Sequence, residues 1–76
     1  MKTLHANRQR ANLKIMDNVM SLIYAHPDLR FNQILMALNI SIMSDNGEGL
    51  KDLFYEESDV TLKRVEQAIN DFNKTN

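Results

Sequence analysis

The stretch "HPDLRFNQIL", residues 26–35, decides how this chain folds. Pro27 stops whatever helix precedes it, because the residue before a proline is pushed out of the α region. Asp28 follows as an N-cap candidate, its carboxylate free to accept from backbone N–H groups of the next turn. Phe31, Ile34, Leu35 and Leu38 then fall at i, i+3, i+4 and i+7, one fully apolar helical face. One helix ends and another begins after about three residues, so the two lie side by side or cross sharply.

Upstream, residues 7–25 read as the first helix. Met16, Val19, Met20 and Ile23 form an apolar stripe at helical spacing, widened by Leu13, Ile15 and Leu22. Residues 1–6 are expected to be a flexible N-terminus. The second helix is expected over 29–39, where Asn39 tolerates a left-handed conformation and so makes a stop. Residues 41–51, "SIMSDNGEGLK", hold both glycines and an Asp-Asn-Gly turn, and they break all periodicity. "DLFYEES", residues 52–58, reads as an extended or single-turn segment with Phe54 packed inward. The third helix, over 58–73, has Ser58 as N-cap candidate and Asp59 on the favoured side of the helix dipole. Leu62, Val65, Ile69 and Phe72 carry its stripe, with Ala68 beside them, and Lys74 suits its C-terminal end. The expected fold class is all-α, a small three-helix domain with an irregular loop between helices 2 and 3.

Size and composition narrow the rest. Seventy-six residues make one domain, and a chain this short buries only about 60% of its unfolded surface. With no cysteine there is no disulfide to support it, so well-packed helices or self-association must do so. A cysteine-free chain with two histidines is a poor basis for a structural zinc site, and neither metal nor cofactor is expected. "MKTL" lacks an apolar run of signal-peptide length, and no stretch approaches the ~20 apolar residues of a membrane helix. The expectation is a cytoplasmic protein with no membrane partner.

The formal charge is −1, but the halves differ: residues 1–30 sum to +3 and residues 31–76 to −4. Such asymmetry serves head-to-tail packing within the domain or a charged partner. Arg30 lies beside the Phe31 face of the second helix. It either pins an acid of the following segment (Asp52, Glu56 or Glu57) to that helix or contacts a partner's acid or phosphate.

Pro27, Asp28, Leu29, Arg30, Phe31 and Gln33, then Asp52, Phe54, Tyr55, Glu56 and Glu57, followed by an amphipathic helix, resemble a group of small proteins common in phage and prophage genomes. Their pattern reads Pro-Asp-Leu-Arg-Phe-Gly-Gln-Leu, then Asp-Pro-Phe-Tyr with acids. This chain departs from it at Asn32 for glycine, at Leu53 for proline, and in a longer intervening loop. The matched parts cover about half the chain. The group has no established activity to carry over, so the resemblance bears on arrangement and implies a setting in which small proteins bind host or viral proteins.

Catalysis is not expected. Glu56, Glu57 and Asp59 cluster, but just ahead of a helix N-terminus, where acids have a structural role. No nucleophile–base pair, phosphate loop or metal-ligand spacing accompanies them, and His5 and His26 are far apart in the sequence. Residues 31–41 resemble the start of a helix-turn-helix, yet two glycines and two acids follow where a recognition helix is needed. The alternative nucleic-acid contact is the basic group Arg8, Arg10 and Lys14, of which Arg10 and Lys14 share a face. Met16, Met20, Met36 and Met43 read first as core fillers and second as an adaptable patch for a second copy or a partner. The function expected is a non-enzymatic protein–protein interaction module, either a homodimer or a phage-derived inhibitor or adaptor. Its partner-binding residues would be Arg30, Asp52, Phe54, Tyr55, Glu56 and Glu57.

Overall fold

Three helices meet at Val65, which among the described side chains is the large one with no solvent exposure. The computed structural model describes residues 2–74, with side chains from His5 onward. Helix α1 spans Lys2–Ala25, α2 Phe31–Ala37 and α3 Ser58–Lys74. The chain is all-α, a three-helix domain. Val19 from α1, Ile34 from α2, Leu38 just past it and Val65 from α3 form the core, with Ile15, Leu22, Leu29, Ile40 and Ile69 packed around it.

Helix α1 continues back to Lys2 instead of starting near residue 7. No glycine or proline between Lys2 and Ala25 interrupts it. It ends as expected at His26–Pro27, where the Leu29 N–H closes a turn onto the His26 carbonyl. That turn uses Asp28, so Asp28 is not the cap of α2. Arg30 takes the N-cap position in extended conformation, and its N–H donates to Gln33 Oε1 at 2.8 Å. Asn39 is left-handed with φ 58°. The Ile40 N–H reaches the Leu35 carbonyl at 2.9 Å and the Asn39 N–H reaches the Met36 carbonyl at 3.1 Å, a Schellman stop that folds Ile40 onto the core.

Helices α1 and α3 run in the same direction. Arg8 near the start of α1 pairs with Glu57 just ahead of α3, and His26 after α1 packs edge-to-face on Phe72 near the end of α3. The chain must therefore return roughly 25 Å, the length of a 17-residue helix, between α1 and α3. Helix α2 and a small hairpin make that return. In the hairpin Met43 and Leu50 form an antiparallel bridge, closed by Lys51 N–H to the Ile42 carbonyl at 2.8 Å and Ser44 N–H to the Gly49 carbonyl at 3.0 Å. Gly47 and Gly49 have φ of 74° and 88°, the left-handed region that the turn requires. At the start of α3, Glu57 precedes the first helical residue and its carbonyl accepts from Val60 and Thr61, so the cap lies one residue before Ser58. Asp59 and Lys74 sit at the dipole-favoured ends.

Several expectations about facing are corrected, among them that for Phe31, expected on the apolar face of α2 and exposed in the structure. Within the expected α1 stripe only Val19 is buried; Leu13, Met16, Met20 and Ile23 are exposed, while Ala11, Ile15, Val19 and Leu22 face inward. Helix α1 is apolar on two sides, and α3 covers the one with smaller and β-branched residues. All four methionines read as core fillers are exposed. Ile34→Ala is expected to cost about 2–5 kcal/mol, as deletion of a buried aliphatic side chain does, and half-buried Leu35→Ala should cost less. Urea denaturation of the two variants measures both.

Candidate interaction surfaces

The segment between the hairpin and α3 is held by side chains from elsewhere in the fold. Arg64 is one residue from Val65, so the turn that buries the valine throws the guanidinium to one side of the core. Its Nε donates to the Asn39 carbonyl at 3.0 Å and its Nη1 to Glu56 Oε2 at 2.5 Å. The Thr61 hydroxyl donates to the other Glu56 oxygen at 2.6 Å. One arginine thus joins α3, the end of α2 and the segment before α3. Arg8 makes a second clamp, with Nε and Nη2 donating to the two Glu57 oxygens at 2.6 and 3.0 Å. The fork geometry of arginine suits both carboxylates.

These clamps leave the aromatic residues outside. The Phe54 N–H donates to Asp52 Oδ1 at 3.0 Å, a side-chain turn that aims the next two residues outward. Phe54 is 81% and Tyr55 93% exposed, and their rings meet edge-to-face with centroids 4.9 Å apart. The inward packing expected of Phe54 is overturned. Leu53 is the residue of the pair Leu53–Phe54 that turns partly inward.

The six residues expected to bind a partner therefore occupy different roles. Phe54 and Tyr55 form an exposed pair, Asp52 shapes the turn that presents them, and Glu56 and Glu57 anchor the segment. Arg30 is exposed at the start of α2, and the arginines that reach the two glutamates are Arg64 and Arg8. Sequence reasoning missed Arg64 as a pin. Its position next to Val65, the centre of the α3 stripe, was the available signal. Of the basic group, Arg8 is paired with Glu57, Arg10 donates to Asn7 Oδ1 at 3.3 Å, and Lys14 is exposed.

Two further features are apolar. A cleft of about 520 Å³ lies between the C-terminal halves of α1 and α3 and α2, lined by Leu22, His26, Leu29, Leu38, Ile69 and Phe72 among others. It lies within the size range of small-molecule clefts. The outer side of α1 presents Leu13, Met16, Met20, Ile23 and Tyr24 to solvent. Among the described residues, no cluster of histidine and acidic side chains is arranged to hold a metal ion, and no helix is long and apolar enough to cross a membrane.

Comparison of the chain with family models, with curated proteins and with solved structures finds no match in any of the three.

The clamps have a pH signature. The Arg64 hydrogen bond holds the Glu56 carboxyl below its ordinary value, against a smaller opposing effect of burial, and Thr61 adds to the lowering. The Arg8 hydrogen bond lowers Glu57 in the same way. A carboxylate lowered on folding contributes stability that is complete above its unfolded value and is lost as pH falls through the folded one. The melting temperature is therefore expected to hold on descending to about pH 4.5, the ordinary value, and to drop below it. Glu56→Gln should flatten that acid-side drop; an unchanged pH profile would show that the Arg64 clamp is not coupled to folding.

Proposed function

We propose that this chain is a non-enzymatic protein–protein interaction module that acts by occupying a partner's surface with the Phe54–Tyr55 pair. The observation that carries this reading is two large aromatic side chains held almost fully in solvent on a segment clamped by Arg64 and Arg8. Aromatic residues are enriched at the cores of protein interfaces, and tyrosine among the few residues that dominate affinity there. A presenting segment that is already ordered loses little freedom on binding. Glu56 and Glu57 are engaged in ion pairs, which favours an anchoring role for them over acid–base chemistry. The absence of cysteine suits a reducing cytoplasm. The Pro27–Gln33 and Asp52–Glu57 pattern favours a phage or prophage setting, in which the module would serve as an inhibitor or adaptor.

The nucleic-acid alternative has less to stand on, since Arg8 is committed to Glu57 and only Arg10 and Lys14 remain for phosphates. Affinity capture from lysate of the organism carrying the gene tests the main reading. The double variant Phe54→Ala/Tyr55→Ala should lose the captured protein while its melting temperature stays within about 4 °C of wild type, as surface substitutions are nearly neutral. Undiminished capture by that variant overturns the assignment. Binding to DNA or RNA that falls steeply with salt would move it to the basic face of α1.

A further inference from the structure

The outer side of α1 carries a second apolar seam, turned about 125° around the helix from the one that meets α3. At 100° per residue, the stripe of Leu13, Met16, Met20 and Ile23 is centred about 125° around the helix from that of Ala11, Ile15, Val19 and Leu22, and it is the solvent-facing one of the two. A helix apolar on both sides is one that is covered on both sides. The surface area agrees. The chain exposes 6073 Å², whereas a folded monomer of 8.8 kDa is expected to expose about 4,800 Å². The excess is about 1,300 Å², and a standard interface hides about 800 Å² on each partner. One contact on α1 accounts for more than half of it, and the Phe54–Tyr55 surface lies elsewhere.

We infer that this seam is a homodimer interface, in which the outer face of α1 packs antiparallel on the same face of a second copy about a two-fold axis near residue 18. The spacing 3-4-3 from Leu13 to Ile23 is that of a coiled-coil seam, and it is symmetric about residue 18. In the antiparallel pair Leu13 meets Ile23 of the other copy and Met16 meets Met20, so every position of the stripe finds an apolar partner. Closed two-fold contacts of one patch with itself are the commonest form of association. Charge fixes the direction. Up to Lys14 the charged residues of α1 are all basic, Arg8, Arg10 and Lys14 among them, and from there to the turn after the helix they are the acids Asp17 and Asp28. A parallel pair sets the basic stretches side by side. The antiparallel pair brings Arg10 level with residue 26 of the other copy, two residues from Asp28, and opposes the two helix dipoles.

Three measurements on the full chain test this. Sedimentation equilibrium of the wild type should give about twice the 8.8 kDa chain mass, with a melting temperature that rises with protein concentration. A mass of one chain and a concentration-independent melt overturn the proposal. Met16→Glu/Met20→Glu places charge on side chains outside the monomer core and should give a single-chain mass with the helical circular dichroism retained; a dimer that survives it overturns the assignment of this seam. Direction is read by oxidative crosslinking, since the chain has no cysteine of its own. Met16→Cys mixed with Met20→Cys should crosslink faster than either variant alone. Faster crosslinking of Met16→Cys with itself would mean a parallel pair and overturn the antiparallel arrangement. Because Phe54 and Tyr55 take no part, Phe54→Ala/Tyr55→Ala should leave the dimer intact, which separates failure of this inference from failure of the proposed partner contact.

Discussion

The burial of Val65 at the meeting of three helices is the constraint on which the rest of this fold depends. Among the described residues only Val19, Ile34 and Leu38 are buried with it in one cluster, a small core with little redundancy. A helix of seven residues such as α2 has no stability of its own, and it holds its shape because Ile34 and Leu38 reach Val65. The same turn of α3 delivers Arg64 to the Asn39 carbonyl and to Glu56. Apolar packing and polar clamping are therefore registered by adjacent residues, and a shift of α3 that exposed Val65 would also release the end of α2 and the segment carrying Phe54 and Tyr55.

Parallel α1 and α3 explain the long connection between them. Two helices joined by a short turn run antiparallel; here the chain must travel back along the domain before α3 can begin. The return path consists of α2, a Schellman stop and a hairpin, each closed by its own backbone hydrogen bonds. That path ends where acids are needed twice, near the positive end of the α3 dipole and opposite Arg8. The uneven charge of the two halves of the sequence has in this way a partial internal use, since Arg8 of the basic half and Glu57 of the acidic half bind each other.

Many large apolar side chains of the domain are exposed, and they fall in distinct places. Phe54 and Tyr55 stand on a clamped segment, whereas Leu13, Met16, Met20 and Ile23 line a helix. In the proposed reading the first arrangement offers two rings on an ordered segment to another protein. The second offers a long flexible ridge to a surface of the same kind, and methionine suits it because its unbranched side chain adapts to its neighbour.

Much of the fold was legible in the sequence. Helical periodicity marked three helices, Pro27 ended the first, Asn39 ended the second through its tolerance of positive φ, and the glycines near 47 announced a turn. These are local properties, written within a few residues of where they act. What only the tertiary structure decided was which side of α1 is inside, because both sides are apolar and periodicity alone does not rank them. It also decided which arginines hold the acidic segment. Arg8 and Glu57 are 49 positions apart, and nothing in local spacing links them; the link exists because α1 and α3 lie side by side in the same direction. Phe54 points outward for the same kind of reason: the segment that carries it is bonded upstream through Lys51 to Ile42 and downstream through Glu56 and Glu57 to Arg64 and Arg8, and local spacing shows none of these ties.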